Sequence, residues 1–331
     1  MDEQTPGGTP QAVLLSRSDQ PDFVVAKDTS GKSFTDADEL LHKSFTFPFK
    51  FPKLLTPIIV GFVVLTLGAY QVSKLEVFHT STPDDFGAGY IITLALLLLF
   101  VHSLVTIFSA SIILEMIQQW EASRRMSYFK AFWHSATRNL GVLLPLAATL
   151  TIKVFVINVI SNMLKSVAGR SPAASAAVSV GEELAERYLQ MRTFLVIPAV
   201  AWENLGSVAA GERVDRALRV FGPEFNRGFW RYNFYTFLLN LPVAFVAFLI
   251  AEDVVPVSAT ILFATIAYGF MTVAFSMVAQ VLYTAQLYFW YLQYEAAKEK
   301  LTPEEARDLV IGDVPLVHLL ENETAAARLG E

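Results

Sequence analysis

The chain contains no cysteine, which removes disulfides, thiolate metal sites and cysteine nucleophiles together. Charge is scarce as well: Asp, Glu, Lys and Arg make up 17% of the 331 residues, against about 25% in an ordinary soluble domain. The balance is acidic, with a net charge of −6, so nucleic acid is not an expected partner. The five histidines, His42, His79, His102, His134 and His318, are scattered without an H-x-x-x-H pair or a carboxylate cluster at metal spacing. A phosphate-binding loop, a dinucleotide glycine fingerprint and a nucleophile elbow are all missing. No metal, no cofactor and no catalytic set follow from these residues, and the expectation is a non-enzymatic protein. The first forty residues also lack the basic, then apolar, then small-residue pattern of a cleaved leader, which puts insertion at the first span.

What the chain does have is apolar sequence in blocks: 53% of residues are hydrophobic and 26 are Phe. A bilayer core offers the backbone no water, so only helices or closed barrels cross it, and blocks of this length are helical spans. The expected fold is all-α, a polytopic bundle of six spans near residues 54–72, 89–117, 143–164, 185–205, 234–250 and 256–290. The last stretch stays apolar to Tyr294 without a turn cluster, which predicts one long helix. Its Tyr288, Trp290, Tyr291 and Tyr294 read as an aromatic belt at the membrane interface. Residues 1–42 read as a flexible cytoplasmic tail, 43–296 as the membrane domain and 297–331 as a cytoplasmic helical tail. Between tail and first span, residues 43–53 alternate four Phe with polar residues and with Pro48 and Pro52. Proline argues against helix there, and the aromatic–basic mixture suits an interfacial anchor.

Charge parity sets the fourth span. Arg124, Arg125, Lys130 and Arg138 follow span two, and Arg213, Arg216, Arg219, Arg227 and Arg231 follow Trp202. Basic loops stay cytoplasmic, so two crossings must separate them. The segment 185–205 supplies the second one, with its outer half sheltered by neighbours. Both termini then lie in the cytoplasm, and the expected location is the inner membrane. Residues 127–140 and 208–221 are each basic and amphipathic, the second with Arg213, Arg216 and Arg219 set against Val214, Ala217, Leu218 and Phe221. Each precedes a span as an interfacial helix would.

Residues 198–206, PAVAWENLG, place Pro198, Glu203 and Gly206 in a P-x-x-x-x-E-x-x-G segment ahead of Arg213. In this the chain resembles a set of uncharacterised prokaryotic six-span membrane proteins. More distantly its layout is similar to the membrane domain that accompanies some glycerophosphodiester phosphodiesterases. The resemblance covers about residues 45–295 in organisation and some twenty residues in motif; Val214 stands where that pattern has a Ser. It implies architecture and no activity.

Polar residues inside the spans are the candidate site. Lys153 interrupts span three, where a lysine near the bilayer centre costs ~3 kcal/mol on insertion scales. His102 lies at similar depth in span two. The two form either a site for proton or anion traffic, or a packed histidine beside a snorkelling lysine. Thr151, Asn158, Asn162 and Lys165 share one helical face, which either glues helices together or lines a water-filled path. Glu203 either caps the following helix with Asn204 and Gly206 or belongs to a substrate site. Glu115 is explained by an interface position near the end of span two. Two functions remain open. One is an accessory or assembly subunit that engages a protein partner at the cytoplasmic face, or a second copy, through amphipathic segments. The other is a small-solute permease or channel built on Lys153, His102, Asn158, Asn162 and Glu203.

Overall fold

A computed structural model describes residues 36–74, 88–123, 125–168, 171–252 and 258–298. The expectations for residues 1–35, for the loop that holds His79, for the Pro256 start of the last span and for the tail beyond 298 lie outside the described residues. All regular structure among the described residues is helical. The eight α-helices are α1 (Asp36–Lys50), α2 (Thr56–Ser73), α3 (Ala88–Ser123), α4 (Tyr128–His134), α5 (Leu140–Ala168), α6 (Pro172–Glu203), α7 (Ser207–Ala251) and α8 (Ala259–Lys298). Five stretches are long and apolar enough to cross a membrane, six if the bent pair α6–α7 counts as one. The chain is an all-α membrane protein, and a lipid bilayer is its solvent.

Several boundaries differ from the expectation, each for a local reason. Residues 36–42 and 43–50 are helix, not tail and extended anchor. Pro48 sits inside the last turn of α1, where its missing N–H forfeits one i→i−4 hydrogen bond. Burial of Leu41, Ser44 and Phe47, one helical face, outweighs it. A 3₁₀ turn, Pro52–Leu55, then leads into α2. Helix α6 starts thirteen residues before the expected span because Ser171 caps it, accepting from the Ala174 N–H at 3.3 Å, with Pro172 in the first turn. The expected shelter is also reversed. Residues 191–202 are almost entirely buried, whereas 181–190 mix half-buried and exposed positions. The amphipathic segment 208–221 and the fifth span run on as one helix, α7, with a non-helical Phe221 (φ −122, ψ 29) two residues before Pro223. Proline withholds its N–H and disfavours α geometry just before it, which accounts for the kink. The last span is the single long helix expected, 40 residues in α8, about 60 Å. Of the expected aromatic belt, Tyr288 and Tyr291 are instead 0% and 1% exposed, packed among protein rings, while the side chains of Trp290 and Tyr294 lie outside the described residues.

The chain divides into two compact units. One comprises Thr56–Gln119 and Arg125–Glu212. Within it α2 and α3 approach closely at Gly61, where an added Cβ would stand 2.8 Å from Val105 Cγ1; the Ser109 hydroxyl donates to the Pro57 carbonyl at 3.2 Å nearby. The α5–α6 hairpin belongs to the same unit. The other unit comprises Met1–Leu55, Trp120–Arg124 and Arg213–Glu331. Its described core is α8 packed on α1 and on the arm of α7 after Glu212. Gln286 Nε2 donates to Ser44 Oγ at 3.2 Å, and Phe45 stacks on Tyr232. Further along, Tyr232 donates to the Ser276 carbonyl at 3.1 Å and Thr272 to Asn240 Oδ1 at 3.0 Å. These pairs run antiparallel and zip α7 to α8.

Candidate functional site

The densest buried polar cluster among the described residues lies in the first of these units, where α3 meets the junction of α4 and α5. Glu115 is the single acid in the apolar stretch Ile92–Trp120, and it is 3% exposed. Its Oε2 lies 2.7 Å from His134 Nδ1. Asn139 Nδ2 donates to Glu115 Oε1 at 3.3 Å and to Ser111 Oγ at 3.1 Å. The Ser111 hydroxyl in turn donates to Ser135 Oγ at 3.2 Å. Backbone geometry makes this convergence possible. Residues Ser135–Asn139 form a π turn, in which the Leu140 N–H reaches back to the Ser135 carbonyl. In an α-helix residues five apart point about 140° away from one another. The i→i+5 bonding of a π turn brings them nearly into line, so His134 and Asn139 face the same carboxylate. The His134 side chain is 43% exposed, which gives the buried carboxylate a polar path outward. The cluster fixes α3 to the α4–α5 junction.

Sequence reasoning treated Glu115 as an interface residue and His134 as one of five scattered histidines. The available signal was the spacing of two i,i+4 polar pairs, Ser111/Glu115 and Ser135/Asn139, on neighbouring elements.

The expected site residues do not converge. Lys153 and His102 are both exposed on their helices, and no hydrogen bond or ion pair joins them among the described residues. The polar face of α5 divides. Asn158 Nδ2 donates to Glu186 Oε1, and Lys165 Nζ to Glu182 Oε2, while Thr151 is buried and bonds back to the Ala147 carbonyl at 2.9 Å. Asn162 is exposed. The face therefore acts as glue for the α5–α6 hairpin, with Glu182 and Glu186 as the partners that sequence reasoning did not assign. Lys165→Met is expected to lower the thermal midpoint, and Lys165→Met combined with Glu182→Leu to restore most of it. Strict additivity in that double-mutant cycle would show that the pair carries no coupling.

Glu203 is half-buried and is the last residue of α6. Its helix ends in a left-handed cap: Asn204 adopts a φ of 55°, and the N–H groups of Asn204 and Leu205 both reach the Ala199 carbonyl. Arg138 Nε donates to Asn204 Oδ1 at 3.4 Å.

The basic helix carries the third cluster, in the second unit. Arg213 is 15% exposed and pairs with Glu295, and its guanidinium lies 5.2 Å from the Tyr291 ring centroid. The Tyr291 hydroxyl donates to Glu295. Tyr291 lies beyond the apolar stretch, which ends at Phe289. Burial first, then the bond to Glu295 and its charge, push the phenol up to about 12 against the pull of Arg213 and Arg216. It stays protonated at neutral pH and remains a donor. Arg216 and Arg219 are exposed, while Val214, Ala217 and Phe221 are buried.

No protein-family model matches the chain, and no curated protein or solved structure is significantly similar to it.

Proposed function

We propose that this protein is a non-enzymatic accessory or assembly subunit of the inner membrane. It engages a partner through the basic amphipathic arm of α7, with both termini cytoplasmic. The observation that carries this reading is the mounting of that arm. Val214, Ala217 and Phe221 are buried and Arg213 is anchored to Glu295. Arg219 and Arg216 are both exposed, Arg216 also reaching the Tyr291 hydroxyl, so that the two bases sit on a fixed surface suited to an acidic partner. Of the residues a permease would use, Asn158 is bonded to Glu186, and Lys153 and His102 share no hydrogen bond or ion pair among the described residues.

The test is mild-detergent purification of the tagged full-length chain beside an Arg216→Glu/Arg219→Glu variant. A stoichiometric partner is expected with the wild type and a large loss of it with the variant, at equal yield of the chain. Undiminished recovery with the variant would sink the reading.

A further inference from the structure

We propose that Lys153 is the docking point for a transmembrane helix of a different protein, one that carries a single Asp or Glu near the middle of its span. This rests on the accessory-subunit reading and adds an intramembrane contact to it.

Depth comes first. Lys153 follows Arg138 by fifteen residues and precedes Lys165 by twelve, about 22 Å and 18 Å along a helix axis. These two bases flank the apolar part of α5 and leave Lys153 near its centre. A lysine stem reaches only about 6 Å, far short of either flank, so snorkelling does not bring the ammonium to water. Direction comes second. Lys153 is exposed, and so are its neighbours on the outward surface of α5: Ile152 at 61%, Val156 at 46%, Val159 at 41% and Ile160 at 51%. None of the described residues gives Lys153 a hydrogen bond or an ion pair. A cation at mid-depth facing hydrocarbon is retained only where an opposite charge covers it. The apolar ring around it has the layout of a polar anchor sealed by a dry rim.

No described acid of this chain lies free at mid-span to cover it from a second copy. Among the described residues Glu115 is the single acid inside the five apolar stretches and is buried against His134, while in α6 Glu182 and Glu186 are bonded to Lys165 and Asn158 and Glu183 to Arg187. A lipid headgroup does not reach the centre of the bilayer. Charge complementarity therefore points to a carboxylate carried on another protein's span.

The full-length protein, labelled with a donor dye, is reconstituted in phosphatidylcholine vesicles at neutral pH with acceptor-labelled oligo-leucine transmembrane helices. The central residue of these helices is Glu, Gln, Lys or Ala. The Glu helix is expected to associate roughly tenfold more tightly than the Gln or Ala helix, the factor that one intramembrane charge pair can supply. The preference should vanish with Lys153→Met and survive with Lys153→Arg. Equal association of all four helices overturns the proposal, as does a Glu preference that persists in Lys153→Met. Should Lys153→Met fail to fold, the ranking of the helices on wild-type protein and on Lys153→Arg decides. Energy transfer between differently labelled copies of the chain, lost in Lys153→Met, would assign the position to a second copy and also overturn it. The arginine-reversal purification reads the accessory function separately. A partner lost there, with no Glu preference here, refutes the Lys153 contact and leaves that function standing.

Discussion

Gly228→Ala is expected to destabilise the protein by about 3 kcal/mol, the upper range for forcing a methyl group into a packed interior. Gly228 is buried in α7, and a Cβ there would meet the ring of Tyr283 in α8: it would stand 2.6 Å from Cε1 and closer still to Cζ and the hydroxyl. Tyr283 is 0% exposed, so its ring has nowhere to swing. Nor can the helices part, because Tyr232 donates to the Ser276 carbonyl one turn further along and Thr272 bonds Asn240 beyond that. Helix propensity argues the other way, since Ala at a helix interior is favoured over Gly by about 1 kcal/mol. The sign of the change therefore reports which effect wins. A lowered thermal midpoint, partly restored by adding Tyr283→Leu, is the expected pattern. A midpoint that rises on Gly228→Ala would mean that α7 and α8 are not in contact at this point.

The span pattern was legible because bilayer crossing leaves an unmistakable trace, long apolar blocks separated by charge. The single long helix of α8 followed from the absence of any turn cluster after Ser258. Helix α1 was not legible from propensity. Pro48 and alternating Phe suggest extended chain, and the contrary information is tertiary: Ser44 meets Gln286, and Phe45 meets Tyr232, residues far away in sequence. The start of α6 was legible and went unread, since Ser171-Pro172 followed by alanines is a cap with proline in the first turn. Tyr288 and Tyr291 show a different limit. Aromatic residues at the end of a span suit an interface belt and a buried contact equally well, and only the position of Arg213, Glu295 and Phe221 decides between them.

The candidate site divides along the same line. Asn158 and Lys165 were correctly placed on one face of α5 by their spacing. Their partners Glu182 and Glu186 depend on how the hairpin packs, which spacing does not encode. The place of Lys153 along the apolar stretch is read from the sequence, whereas its outward direction is not. A helical period gives angles relative to other residues of the same helix, and the angle that matters is the one to the neighbouring helices.

Glu115→Ala tests the remaining cluster, with an expected loss of about 2 kcal/mol, within the range for taking a hydrogen-bonding partner from a buried polar group. The mutation takes the partner from the half-exposed His134 Nδ1 and one of two acceptors from the buried Asn139 Nδ2, and leaves a cavity beside them. Asn139 is already short of a partner, since its Oδ1 is buried and accepts no hydrogen bond. Polar contacts between membrane helices are often worth less, about 0.6 kcal/mol on average, because the unfolded chain in lipid finds substitutes. That discount should be small here, because the π turn aligns two donors on one carboxylate and no unfolded segment offers the same arrangement. Glu115→Gln keeps an acceptor and should cost roughly 1 kcal/mol, the scale of one ordinary hydrogen bond. The decisive measurement is the cycle of Glu115→Ala, His134→Ala and their combination, read by thermal unfolding in detergent. If the network acts as a unit, the double variant loses much less than the sum of the single ones. Additive losses would mean that His134 and Glu115 do not share a bond, and the π turn would then lose its reason for being there.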